Sequence, residues 1–106
     1  MSFSLGFIGF GEAAYNMGKG LRNEGLQDIK AYDVVMDKED PMRDTVLNRC
    51  KDADIKAVFS SKELVEGSDI VVIAVPARFT ASTAEGLKAF AKAGLRIIFC
   101  RQSRTQ

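Results

Sequence analysis

The chain has no histidine and no tryptophan, and only two cysteines and two prolines among 106 residues. Without histidine there is no imidazole to act as general base or zinc ligand, which excludes Ser-His-Asp triads and HExxH metal sites. Cys50 and Cys100 stand far apart and outside any CxxC spacing, so a disulfide framework or thiolate metal site is not expected, and buried free thiols are. An excess of charge of either sign is also missing. The 15 Lys and Arg against 14 Asp and Glu leave a formal charge of +1. No global field exists to gather nucleic acid or an anionic membrane, and neither is expected as a partner. The longest apolar stretch, Ile70 to Ala77, is far short of the roughly 20 residues that cross a bilayer, and no basic region leads into an apolar signal core. The expected location is the cytoplasm.

What is present is an ordinary globular composition, 46% hydrophobic and 27% charged, in a length suited to one domain. The apolar residues alternate between two patterns. Leu5-Gly6-Phe7-Ile8 is a short buried-strand run ending in glycines. Ala14, Met17, Gly18, Leu21 and Gly25 then follow helical spacing, with Asn16, Lys19, Arg22 and Asn23 towards solvent and Gly25 as terminator. Ile29 to Tyr32 reads as a second strand closed by Asp33, and residues 37–40 with Pro41 as a loop. Asp40 caps a helix beginning at Pro41 that carries Val46, Leu47 and Cys50 inward. Ala57-Val58-Phe59 is a third strand, and Ser60 with Glu63 forms a capping-box spacing for a short helix ended by Gly67. Ile70 to Val75 is a β-branched central strand stopped by Pro76. Ala84, Leu87, Phe90 and Ala91 mark another helix, Gly94 its end, and Leu95 to Phe99 the fifth strand. Strands alternating with helices require right-handed crossovers and a parallel sheet. The expected fold is a doubly wound α/β Rossmann domain over residues 1–99, strand order 3-2-1-4-5, with an irregular tail at 100–106. A ligand crevice is expected between the first and fourth strands at their carboxyl ends.

Gly9-Phe10-Gly11-Glu12-Ala13-Ala14 matches G-x-G-x-x-A, a weak pattern alone and a specific one between a strand and a helix. Gly9 permits the tight turn, Gly11 admits a pyrophosphate to the backbone, and Ala14 keeps the helix close to the sheet. The helix N-terminus offers amide donors and positive dipole to phosphate, so residues 9–14 are expected around the pyrophosphate. Glu12 is read as a dipole partner at that end. Asp33, at the end of the second strand, would accept from the ribose hydroxyls and repel a 2′-phosphate. The expected cofactor is therefore NAD, with NADP disfavoured. Val75 and Pro76 are expected on the nicotinamide side of the crevice, while Arg78, Arg101 and Arg104 are read as solvated charges. No catalytic residue and no metal ligand is assigned.

The run Gly6 to Ala14, then Ala31-Tyr32-Asp33, then Ser68-Asp69-Ile70 leading into Ala74-Val75-Pro76, resembles the N-terminal domain of the 6-phosphogluconate dehydrogenase-like and β-hydroxyacid dehydrogenase superfamily. The likeness spans roughly residues 3 to 99. It implies a nicotinamide-dependent oxidoreductase acting on a hydroxy acid, completed by a helical, usually dimer-forming domain that carries the catalytic lysine. None of these 106 residues corresponds to that domain, and Cys100 to Gln106 departs from the family's continuation, so the chain is read as a truncated, frame-shifted or domain-only product that is not catalytic alone. Pyrroline-5-carboxylate reductase-like and prephenate dehydrogenase-like enzymes share a glycine-rich first turn and an Ala-Val-Pro strand end. They stand as alternatives, beside a stand-alone nucleotide-binding or regulatory module. A homodimer is compatible with these readings and specified by none of them.

Overall fold

The central apolar runs become parallel strands here because helices cover both of their faces, leaving no solvent side for polar residues to occupy. The computed structural model describes residues 3–37 and 40–100. Its strands are β1 (Leu5–Ile8), β2 (Ile29–Tyr32), β3 (Lys56–Ala57), β4 (Ile70–Ile73) and β5 (Arg96–Phe99). All four pairings are parallel, and the order is β3-β2-β1-β4-β5, as the alternation of elements predicts. β1 lies at the centre, with Leu5 in register with Ile29 on one side and Ile70 on the other. Every residue of β1 and β2 is buried. Phe7, Phe10, Leu26, Leu64 and Ile73 fill the core around them.

Four α-helices make the crossovers: α1 (Glu12–Asn23), α2 (Pro41–Ala53), α3 (Ser61–Glu66) and α4 (Ala77–Leu87). Their boundaries follow local chemistry. The Asp40 carboxylate accepts from the Met42 N–H at 2.8 Å with Pro41 in the first turn, and the Ser60 hydroxyl accepts from the Glu63 N–H at 3.1 Å. Gly25, at φ +107°, follows α1, and Gly67 ends α3. Ala14 and Gly18 face the sheet from α1, whereas Met17 is 39% exposed and not part of the inward stripe. Lys19 lies towards solvent as expected and Arg22 is half-buried, and acids in α2 and at its C-terminal end pair with both. The Tyr15 hydroxyl donates to Asp52, Lys19 Nζ lies 3.3 Å from the same carboxylate, and Arg22 pairs with Asp54.

Several strand and loop limits differ from the sequence reading. β3 is only Lys56–Ala57, since Val58 turns into the core and Phe59 out to solvent. β4 stops at Ile73, two residues short of Val75, because the chain bends to begin α4 straight after Pro76. Asp37 belongs to a 3₁₀ turn (Val34–Asp37), and Lys38 and Glu39 of the expected loop lie outside the described residues, as do 101–106 of the tail. α4 tightens into a second 3₁₀ turn (Lys88–Phe90), leaving Ala91 exposed beyond it. β5 begins at Arg96, and all four of its residues are exposed at this edge of the sheet.

At the amino ends of the strands, Lys30 is buried on β2 and donates to the Gly67 carbonyl at 2.8 Å and to Asp28 at 3.0 Å. The Ser4 hydroxyl also donates to Asp28, and these two donors hold its carboxyl below the usual carboxylate range, Ser4 contributing most. A carboxyl depressed in the folded chain binds fewer protons than when unfolded, so its stabilisation is present above the unfolded pKa and is lost as pH falls through the folded one. Stability should therefore fall in acid below about pH 4, and Asp28→Asn should flatten that slope in urea titrations across pH. An unchanged slope would remove Asp28 from the account. Packing gives a sharper test. A Cβ on Gly6 would meet Ser68 and lie 2.9 Å from Leu64 Cγ in the core, whereas one on Gly18 would press on the terminal methyl of Ile55 and otherwise make ordinary contact with the Phe7 and Phe10 rings. Gly6→Ala should cost about 1–3 kcal/mol by overpacking, and Gly18→Ala no more than ~1 kcal/mol because helix propensity offsets the contact, both read from denaturant midpoints.

Candidate dinucleotide site

The turn from β1 into α1 is shaped by how closely it passes β4. Gly9 has φ +90°, and a Cβ there would lie 2.6 Å from the Ala74 carbonyl oxygen, so both conformation and space demand glycine. Gly9 N–H donates to the Tyr32 carbonyl and Ala74 N–H to the Ile8 carbonyl, each at 2.8 Å, tying the turn to the ends of β2 and β4. Gly11 is the N-cap of α1 and makes no side-chain cap. The first amides of a helix have no partner within it, and here no side chain among the described residues caps them, while the space where a Gly11 Cβ would sit is open.

This uncapped helix end opens onto a cavity of about 910 Å³ at the carboxyl ends of the strands. Gly9, Gly11, Glu12 and Ala13 line one part of it, Tyr32, Asp33 and Val34 the end of β2, and Val75 and Pro76 the end of β4. The structure therefore brings together seven of the nine residues singled out from the sequence: Gly9, Gly11, Glu12, Ala13, Asp33, Val75 and Pro76. The other two face inward. Phe10 is fully buried, its ring 5.7 Å from that of Phe7 and edge-on to Tyr15, and Ala14 is buried against the sheet. Only the backbone of Phe10 belongs to the turn.

Asp33 also braces the turn, which its position in the sequence does not reveal. Its Oδ2 accepts from the Phe10 N–H at 2.8 Å and its Oδ1 from the Val35 N–H at 3.2 Å. A carboxylate has about four acceptor sites, so hydroxyls can still be bound while it braces the turn. Beneath it, Cys50 is pushed up to about 11, mainly by burial and secondarily by the Asp33 charge, which keeps the thiol neutral and inert. Cys100 is a free, half-buried thiol. Among the described residues, no group of three His, Cys, Asp or Glu side chains is placed to hold a metal ion.

Sequence reasoning missed the far wall. Phe79, Ser82, Thr83 and Gly86 of α4 line the cavity, and Ser61 enters from the start of α3. Their spacing of three, four and seven residues was the available signal: it is the face of α4 adjoining the one that buries Leu87. Arg78 is exposed and is not among the lining residues, its guanidinium lying 4.8 Å from the centroid of the Phe79 ring. Arg101 and Arg104 lie outside the described residues. The cavity side chains include two acids, Glu12 and Asp33, and among the described residues no Lys or Arg.

A parallel sheet with a glycine turn, an uncapped helix end and an acid at the next strand's carboxyl end defines a nucleotide-binding Rossmann domain. Residues 4–98 match the family described as NADP oxidoreductase coenzyme F420-dependent, and the chain belongs to that family. It is thus a nicotinamide-dinucleotide-binding domain of oxidoreductase type. No curated protein matches it. Among solved structures it is similar to a conserved hypothetical protein from Sinorhizobium meliloti 1021, at 21% identity and a TM-score of 0.82, over 93% of this chain and 32% of that one. It is also similar to 3-hydroxyisobutyrate dehydrogenase from Mycobacterium tuberculosis, at 19% identity and TM-score 0.75, covering 93% and 31%. Prephenate dehydrogenase from A. aeolicus matches at 17% and 0.72, covering 93% and 33%. At these identities the likeness is one of fold, and the chain spans about a third of each. No helix among the described residues is long and apolar enough to cross a membrane.

The two glycines of the turn should separate folding from binding. Gly9→Ala forces a Cβ against backbone and should cost at least about 2 kcal/mol, through strain and overpacking together. Gly11→Ala, with ordinary φ and open space, should melt within a few degrees of the parent. Equal melting losses in the two variants would contradict this geometry.

Proposed function

We propose that the chain binds NAD in preference to NADP, as the cofactor-holding part of an oxidoreductase acting on a hydroxy acid, and that it does not turn over substrate alone. The observation that supports the reading best is the uncapped α1 terminus at Gly11, facing the same cavity as the Asp33 carboxylate. Gly11, Glu12 and Ala13 would hold the diphosphate through backbone amides, Gly9 leaving the approach clear. Asp33 would accept from the ribose hydroxyls. Val75, Pro76 and Phe79 would shield the nicotinamide end from water with apolar surface. When bound, the dinucleotide supplies the hydride chemistry. The chain contributes positioning and exclusion of water.

Selectivity for NAD follows from charge. A 2′-phosphate would meet Asp33 with no Lys or Arg among the described lining residues to neutralise it, although the family's description names NADP. The hydroxy-acid assignment, within the 6-phosphogluconate dehydrogenase-like group, rests on the motif run from Gly6 through Pro76 and is consistent with the fold shared with 3-hydroxyisobutyrate dehydrogenase. A stand-alone nucleotide-binding module is the second reading, favoured by one observation: among the described residues the cavity lining has no Lys or Cys side chain to act on a substrate.

Calorimetric titration should show NADH binding at least about tenfold, or ~1.4 kcal/mol, more tightly than NADPH. Asp33→Asn keeps an acceptor oxygen and removes the repulsion, so it should reduce that preference by weakening NADH and strengthening NADPH. Gly11→Ala should weaken both by about tenfold or more. Tighter NADPH than NADH binding in the parent chain would reverse the cofactor assignment, and no binding of either would refute the reading.

A further inference from the structure

The phosphate-binding turn is held from behind by two side chains acting on one residue. Asp33 takes the N–H of Phe10 at 2.8 Å, and Arg49, near the middle of α2, donates from Nη1 to the Phe10 carbonyl at 3.4 Å. Arg49 lies 39 positions along the chain from Phe10 and is half-buried, and among the described residues no acid pairs with it. The next residue, Cys50, is buried close enough to Asp33 to feel its charge. Consecutive residues of α2 thus sit beneath both ends of this bracket.

The consequence follows from the planarity of the peptide. The carbonyl of Phe10 and the N–H of Gly11 belong to one trans unit and point in opposite directions. A guanidinium that draws the carbonyl towards α2 therefore turns the Gly11 N–H to the side away from α2. Gly11 is on the cavity wall, uncapped and without a Cβ. The Phe10 side chain, locked in the core between Phe7 and Tyr15, resists rotation of the same unit.

We propose that Arg49 is a positioning residue for diphosphate binding: it orients the Phe10–Gly11 peptide so that the Gly11 amide is presented to the ligand, without touching the ligand. This rests on the dinucleotide reading above and adds a residue outside the glycine motif. It also predicts that Arg49 serves ligands according to whether they carry the diphosphate, and is indifferent to a 2′-phosphate.

The test uses the full chain with Arg49→Gln and Arg49→Lys. ADP, adenosine, NADH and NADPH are titrated by amide NMR, with melting temperature as the control for folding. Arg49→Gln should weaken ADP, NADH and NADPH by a common factor of about five to ten, the scale expected for one charged hydrogen bond of modest geometry. Adenosine binding and melting should be unchanged. Arg49→Lys, which keeps a cationic donor, should restore ADP to within about threefold of the parent on the same scale. Equal losses for adenosine and ADP, or an unaltered ADP affinity, would overturn the proposal, and a loss confined to NADPH would mean that Arg49 meets the 2′-phosphate itself. A ligand-free readout separates this idea from the functional one. The Gly11 amide resonance should shift in Arg49→Gln and return in Arg49→Lys; if the parent binds no nucleotide, that signal alone decides, and an unmoved Gly11 resonance rejects the positioning role.

Discussion

The contact on which the site depends is the passage of the Gly9 backbone over the Ala74 carbonyl, at a distance no side chain would allow. It sets the end of β1 against the end of β4 and turns the chain sharply enough for α1 to start at Glu12. Helix α1 then begins without a side-chain cap among the described residues, beside an open cavity. Such a terminus is a standing site of positive potential for an anion. The hydrophobic core serves this arrangement by fixing both strands: every residue of β1 is buried, and Phe10 anchors the turn beneath.

Asp33 shows how one residue can couple recognition to architecture. Its two oxygens hold the amides of Phe10 and Val35 while remaining within the cavity lining. Under the proposed function, ribose binding and turn geometry would share a group, and substitutions there are not expected to act independently of changes in the turn. The ion pairs between α1 and α2 belong to the same scheme at lower strength. Lys19, Tyr15 and Asp52 join the helices at the surface, where such pairs contribute modestly. They nevertheless keep α2 alongside the turn, where Arg49 reaches it.

The charge and shape of the cavity limit what it can accept. Its described lining has acids at Glu12 and Asp33, an apolar patch formed by Val75, Pro76 and Phe79, and hydroxyls from Ser61, Ser82 and Thr83. A neutral ring fits that patch better than an anion does. The exposed β5, with Ile97, Ile98 and Phe99 facing outward, is the least covered part of the sheet and stands beside β4 rather than beside the turn.

Strand order, the glycine turn, the helix caps at Asp40 and Ser60 and the acid at position 33 were legible in the sequence because each depends on neighbours a few residues away. Periodicity, φ preferences and capping are local properties, and crossover handedness converts them into one topology. What required the tertiary structure were contacts between distant segments: Met17 turning outward, Lys19 and Arg22 finding acids on α2, β4 ending early at Ile73, and Phe79 joining the cavity wall. The same holds for Arg49, whose sequence neighbourhood shows only a charged residue on a helix. Its position under Phe10 exists only once α2 has packed beside α1, because side-chain partners separated by tens of residues are chosen by packing, and no local pattern encodes them.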